Sequence, residues 1–210
     1  MSTIYEMKHV KNLTNFEKLV SLVSNYGKAY NPPKPALQLD SLKAIAVNAH
    51  AAITNLNEIF QVYNNAVTMR EIAFEPLNKL RARFLSLLKT TDVKSKTVLE
   101  YNSQAHYEST LESLSEQIKF LKTIPLEIPN HTDLQTATLQ ILYDDLQAKH
   151  QMAINQSLLF NNARLICNEV MYHKEFGLVT IAIQTKNYIQ SLYSEKRTNY
   201  QQVSVLEFNI

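Results

Sequence analysis

Residues 42–88 read LKAIAVNAHAAITNLNEIFQVYNNAVTMREIAFEPLNKLRARFLSLL, and their spacing decides the fold class. Leu42, Ala46, Ala49, Ile53, Leu56, Phe60, Tyr63, Val67, Arg70, Phe74, Leu77, Arg81, Phe84 and Leu88 follow one another in alternating steps of four and three. A helix turning every 3.6 residues gathers such positions on one face, as in a heptad seam. All but Arg70 and Arg81 are apolar or aromatic, and Leu80 continues the stripe beside Arg81. A helix from about residue 36 to 90 would be ~80 Å long at ~1.5 Å per residue. Pro76 interrupts it, because proline lacks the N–H of the helical ladder and its ring crowds the preceding turn. The heptad phase runs on through Pro76, so a kink is expected there.

Outward from this stretch the sequence repeats itself. Tyr63-Asn64-Asn65-Ala66 returns as Phe160-Asn161-Asn162-Ala163, an offset of 97. At the same offset Leu37-Gln38 matches Leu134-Gln135, Leu42 matches Leu139, Ala51 matches Ala148 and Lys89 matches Lys186. With one residue of slip, Leu13, Phe16, Val20 and Val23 match Leu111, Leu114, Ile118 and Leu121. Two units follow, roughly 10–92 and 108–193, joined by a polar linker over 93–107. Each has a short helix, a proline-bearing turn and a long helix. In the first, Thr14 or Asn15 caps the short helix and Gly27 stops it; the turn is Tyr30–Pro35. In the second, the short helix over 108–123 stops at Ile124-Pro125, and Pro129–Asp133 is the turn. The second long helix, about 133–193, carries the stripe Leu139, Leu142, Leu146, Ala153, Phe160, Ala163, Cys167, Val170, Leu178, Ile181, Tyr188 and Leu192, with a second kink near Gly177. Beyond it, Val203–Phe208 alternates and is expected to dock as an extended piece.

Composition points the same way. The chain has 210 residues, 45% hydrophobic and 19% charged, with two glycines and no tryptophan. Doubly wound sheets, barrels and glycine-rich phosphate loops need more glycine than this. The expected fold is all-α: a single domain, an elongated four-helix bundle of two short-helix/long-helix hairpins. The formal charge is only +2, although 1–105 is net basic and 106–210 net acidic. That asymmetry suits attraction between halves or between copies. A single cysteine excludes an intrachain disulfide. Met1–Glu6 has no apolar leader core and no run reaches membrane-spanning length, so a cytoplasmic location is expected, with signal-independent export left open.

Catalytic and metal chemistry find little footing. A di-iron bundle needs Glu-x-x-His on two helices plus two further glutamates. The chain has one such spacing, Glu6–His9; the pair Glu169/His173 shares a helical face, but the matching positions in the other repeat, Ile72 and Pro76, cannot ligate. His9, His50, His106, His131, His150 and His173 do not cluster in sequence, and a partly buried, hydrogen-bonded His150 is expected. Cys167 lies on an apolar stripe, as a structural thiol would. No catalytic residue, metal ligand or cofactor site is assigned. Asn64, Asn65, Asn161 and Asn162 lie beside the seam at matching points, with Arg70 close by. Buried amides there would fix helix register, or alternatively line a polar pocket. Lys79, Arg81, Arg83 and Lys89, continued by Lys94 and Lys96, form a candidate anion-binding patch; the plainer reading is a solvated helix end. No base-reading motif accompanies them, so no specific nucleic-acid partner is expected. Tyr188, Tyr193 and Tyr200, with Phe208, either offer a contact surface or cap the core.

Three phrases, Arg70–Leu80, Ser157–Arg164 and Thr185–Leu192, resemble a group of uncharacterised all-helical bacterial proteins of about this length. The resemblance covers most of the chain and implies the fold, with no activity or site residue. At fold level alone the bundle is similar to helical pore-forming toxins, but its best candidate for insertion, Ala44–Ile53, is short and alanine-rich. The functional expectation is a non-enzymatic helical scaffold or protein-binding module that meets a protein partner or a second copy. A membrane-active bundle is the alternative, and a metal-dependent bundle enzyme a distant third.

Overall fold

The computed structural model describes residues 4–90, 107–123, 132–193 and 198–209. Among them the chain is all-helical, without a strand. The expected linker over 93–107, the Pro125 and Pro129 turn residues, and Lys94, Lys96, His106 and His131 lie outside this range or almost wholly so.

Helix α1, Ile4–Asn25, buries Leu13, Phe16, Leu19 and Val23 together with the polar His9 and Asn12. Thr14 and Asn15 are therefore mid-helix and not its cap, a correction with a packing cause. The buried stripe runs upstream through Asn12 and His9, and burial outweighs a capping preference of about 1 kcal/mol. Gly27 follows the helix with φ 54°, the left-handed region that glycine enters without a Cβ penalty. A 3-10 turn over Pro35–Leu37 leads into α2, and the Tyr30 hydroxyl donates to the Leu37 carbonyl at 2.7 Å.

Helix α2 spans Leu39–Phe74 and α3 spans Leu77–Thr90. The single helix expected over 36–90 is thus two elements, with Glu75 and Pro76 between. The Glu75 N–H closes α2 on the Glu71 carbonyl at 3.1 Å. The Pro76 carbonyl accepts from Lys79 and Leu80, so proline sits at a helix start, where its missing N–H costs nothing. Every seam position from Leu42 to Phe84 is buried or half-buried.

Helix α4 is Tyr107–Thr123, α5 is Thr136–Tyr172 and α6 is Leu178–Leu192. The second long helix is likewise two elements, divided at His173–Gly177. There the Glu175 and Phe176 N–H groups donate to His173 Nδ1, at 3.1 and 3.4 Å. Gly177 has an ordinary φ of −64°. Glycine is needed there for a different reason: a β-carbon would lie 2.7 Å from the His173 carbonyl oxygen. Helix α7, Thr198–Ser204, follows, and only then does the chain extend over Leu206–Asn209. The extended piece is therefore shorter than Val203–Phe208. Helical pairing of Val203 with Leu206 puts both on the core, which period-two alternation cannot do.

The chain divides into two compact units. The first comprises residues 1–60 and 159–210, and so contains α1, α2 to Phe60, α5 from Leu159, α6 and α7. Its core gathers Phe16, Leu19, Leu42, Ala49, Cys167, Met171, Leu178 and Ile181. Tyr30 meets Tyr188 edge to face, with centroids 5.4 Å apart, and Tyr26 meets Tyr193 at 5.3 Å, so these tyrosines close the core. The second unit, residues 61–158, contains the rest of α2, α3, α4 and the first part of α5. Phe74, Leu77, Phe84, Leu114, Leu139 and Leu146 form its core.

Candidate functional site

The asparagine pairs are exposed. Asn64, Asn65, Asn161 and Asn162 all face solvent, and the residue that turns inward at each point is alanine, Ala66 or Ala163, both 3% exposed. They therefore do not set register inside either core. The cause is helical phase. Tyr63 and Ala66 turn inward, and the two positions between them point away from the core.

Those exposed amides are not alone. On α2, Val62, Asn65, Met69 and Ile72 fall on one face in steps of three, four and three, and the three apolar members are 50% to 62% exposed. On α5 the corresponding residues, offset by 97, are Leu159, Asn162, Ile166 and Glu169. Leu159 and Ile166 are again at least half exposed, and Leu158 and Leu165 widen the strip. The α2 strip belongs to the second unit and Leu159–Glu169 to the first. Exposed apolar side chains scattered singly need no explanation, but contiguous rows of them are uncommon on a soluble surface.

Arg70 is placed differently from its asparagine neighbours. Its guanidinium carbon lies 4.0 Å from the centroid of the Tyr107 ring, and its Nε is buried without a hydrogen-bond partner. Tyr107 in turn meets Phe74 edge to face at 4.9 Å and lies 5.7 Å from the His150 ring. A seam position can hold arginine because the alkyl stem packs apolar and the head rests on an aromatic face. Arg70 and Tyr63 also line a pocket of about 200 Å³ with Ala153, Ile154, Ser157 and Leu158. Polar seam residue and pocket thus meet at Arg70 alone among the five residues singled out.

The residues of the basic stretch are placed differently from one another. Arg83 pairs with Asp133 at 2.6 Å, fastening α3 to the 3-10 turn over Thr132–Leu134. Arg81 is half-buried and its Nε has no hydrogen-bond partner, while Lys79 is exposed. Lys89 lies in α3, with its side chain outside the described residues.

His150 is buried, 3.5 Å from Glu108 Oε1, and its ring nitrogens make no hydrogen bond, contrary to the satisfied histidine expected. His173 and Glu169 are 3.5 Å apart on the surface, and His173 serves the backbone of the α5–α6 break. Among the described residues no three His, Cys, Asp or Glu side chains come together as a metal site. Burial pushes the Cys167 thiol up to about 11, which suits a packing residue and not a nucleophile. No helix of the described residues is long and apolar enough to cross a membrane.

No protein-family model, curated protein or solved structure matches the chain.

Proposed function

We propose that the chain is a helical binding module, without catalytic chemistry of its own, that associates with a second copy through the exposed strips of α2 and α5. The observation that carries this reading is the recurrence of the strip at the same point of both repeats, apolar residues in steps of three and four with an asparagine among them. Such spacing is what a helix needs to pair with another helix. An amide inside an apolar seam bonds best to another amide, so Asn65 and Asn162 would fix the register between chains.

The repeat itself belongs to this proposal. The 3-10 turns over Pro35–Leu37 and Thr132–Leu134, and the starts of α2 and α5 at Leu39 and Thr136, are each offset by 97. Leu42/Leu139, Ala49/Leu146 and Phe74/Met171 are buried in both copies. His9 and Tyr107, offset by 98 on the two short helices, each meet an aromatic ring near the end of a long helix, Tyr172 with centroids 5.4 Å apart and Phe74 at 4.9 Å. Each unit then holds a short helix, half of its own long helix, half of the other repeat's long helix, and the helix that follows that one. This supports a four-helix arrangement within each unit, interleaved between repeats like two hairpins that have exchanged halves.

Sedimentation tests the association. Wild type is expected to sediment above its monomer mass of 24.1 kDa. Met69→Glu and Ile166→Glu place charge at sites more than half exposed, and are expected to yield monomers that melt as wild type does. A wild-type chain that stays monomeric at its highest soluble concentration would overturn the proposal.

A further inference from the structure

The segment after α7 is held in the first unit in an unusual way. Leu206 is nearly buried and Val203 wholly so. Most of the other contacts go to main chain. Asn12, itself fully buried on α1, donates from Nδ2 to the Asn209 carbonyl at 2.7 Å and accepts the Asn209 N–H at Oδ1, 3.1 Å. One turn further along α1, Asn15 Nδ2 donates to the Glu207 carbonyl at 2.8 Å. From α6, Lys186 Nζ donates to the carbonyls of Ser204 and Leu206, at 3.2 and 2.5 Å. The carbonyls of Leu206 and Glu207 thus turn to opposite walls, the alternation of an extended chain.

A wholly buried asparagine is costly unless both ends of its amide are met. Here both are met by one residue's N–H and C=O, much as a neighbouring strand would meet them. Side chains add to this: Leu206 joins the core and Phe208 packs against it, Lys11 pairs with Glu207 at 3.2 Å, and Lys186 Nζ lies 6.0 Å from the Phe208 ring centroid. The segment also leaves room, since an open cleft of about 510 Å³ runs between it and α6 beside Ile183 and Asn187.

We propose that the groove between α1 and α6 is a receptor for an extended peptide of a partner protein, an apolar anchor followed by an acidic and an aromatic residue, and that residues 205–209 occupy it in cis. Main-chain recognition makes the groove tolerant of sequence. Leu206 supplies the anchor, and Lys11 with Lys186 supplies the positive edge that favours an acidic residue after it. A tethered occupant acts at millimolar effective concentration, so it screens out weak peptides and admits strong ones.

The test uses full-length chains and a fluorescein-labelled peptide of the Val203–Asn209 sequence, read by anisotropy. Leu206→Asp expels the segment in cis and is expected to bind the peptide at least about tenfold more tightly than wild type. Adding Asn12→Ala is expected to abolish that gain. A Leu206→Asp chain with wild-type circular dichroism and a cooperative melt that binds no better than wild type would overturn the proposal, as would a gain that survives Asn12→Ala. Should Leu206→Asp fail to fold, hydrogen exchange on wild type decides. Excess unlabelled peptide is expected to speed exchange at the Asn209 amide, and unchanged exchange overturns the proposal. A wild-type assembly that the peptide dissolves but Met69→Glu leaves intact would give the groove to a second copy, overturning the partner assigned here and leaving the α2 and α5 strips a separate matter.

Discussion

The two glycines of the first unit are expected to fail for opposite reasons, and the difference is measurable. At Gly27 an added methyl meets nothing within 4 Å, but φ is 54°. An L-residue there costs about 1–2 kcal/mol, offset by about 0.4–1 kcal/mol because alanine also restricts the unfolded chain. The net loss is about 0–1.6 kcal/mol. At Gly177 the backbone suits any residue, but the methyl would run into the His173 backbone nitrogen, and would sit 2.7 Å from the His173 oxygen and 2.8 Å from the Tyr172 carbonyl carbon. Unstrained contacts to carbon lie at about 3.5 Å, so the shortfall is about 0.7 Å at the Tyr172 carbonyl carbon and greatest at the His173 nitrogen. Those neighbours are backbone at the end of α5 and cannot rotate away. Relief means stretching the Gly177 N–H bond to the His173 carbonyl, 3.0 Å, and the Thr180 hydroxyl bond to the same oxygen, 3.1 Å. Overpacking strain of about 1–3 kcal/mol plus about 1 kcal/mol of hydrogen bonding, less the same ~0.4–1 kcal/mol from the unfolded chain, gives a loss of about 1–3.6 kcal/mol. Urea unfolding followed by circular dichroism compares the two variants. If Gly177→Ala proves no more costly than Gly27→Ala, the close approach does not hold the α5–α6 break.

Three further outcomes follow from the cores. Leu42→Ala and Leu139→Ala, at corresponding buried positions in different units, should each cost about 2–5 kcal/mol in unfolding experiments; a loss below about 1 kcal/mol at either would contradict its core placement. Cys167, buried with its thiol pushed up to about 11, should resist thiol reagents at pH 8 in the native protein and react with one equivalent on unfolding. Rapid native labelling would contradict that burial. Burial also pushes the Tyr30 hydroxyl up to about 12, from an ordinary 10. Both groups are favoured neutral in the fold, so their contribution is complete below about pH 9 and is lost as pH rises from about 9 through about 12. Burial lowers Lys186, which works in the opposite sense. The first unit's melting temperature should fall over that window, and Cys167→Ala should flatten the part below pH 11.

The seam was readable because burial and helical period coincide along it. Leu42, Ala49, Ile53, Leu56, Phe74, Leu77 and Phe84 of the seam are core residues, and even Arg70 keeps its place by resting on Tyr107. The two breaks were readable as positions, Pro76 and Gly177, but not in kind. Whether a helix bends or stops depends on which carbonyls can be satisfied, and those bonds run through Pro76 and His173. The asparagines were misplaced by a single step of phase. Next to the seam and on it differ by about 100° of helix rotation, and only the fold says which alanine turns inward. In the sequence Asn15 reads only as a possible helix cap and Asn12 carries no signal, because what they bind lies nearly 200 residues away in the chain.

The sequence by itself determined that the chain is helical, where the long apolar faces run, and that elements recur at an offset of 97. These are local properties, set by backbone propensity and the spacing of side chains along one helix. Only the tertiary structure decided that each compact unit draws on both halves of the chain, that Asn65 and Asn162 stand in exposed strips, and that an extended segment lies against α1 and α6 through its main chain. Those facts depend on which surfaces meet, and surfaces far apart in sequence leave no mark on each other's spacing.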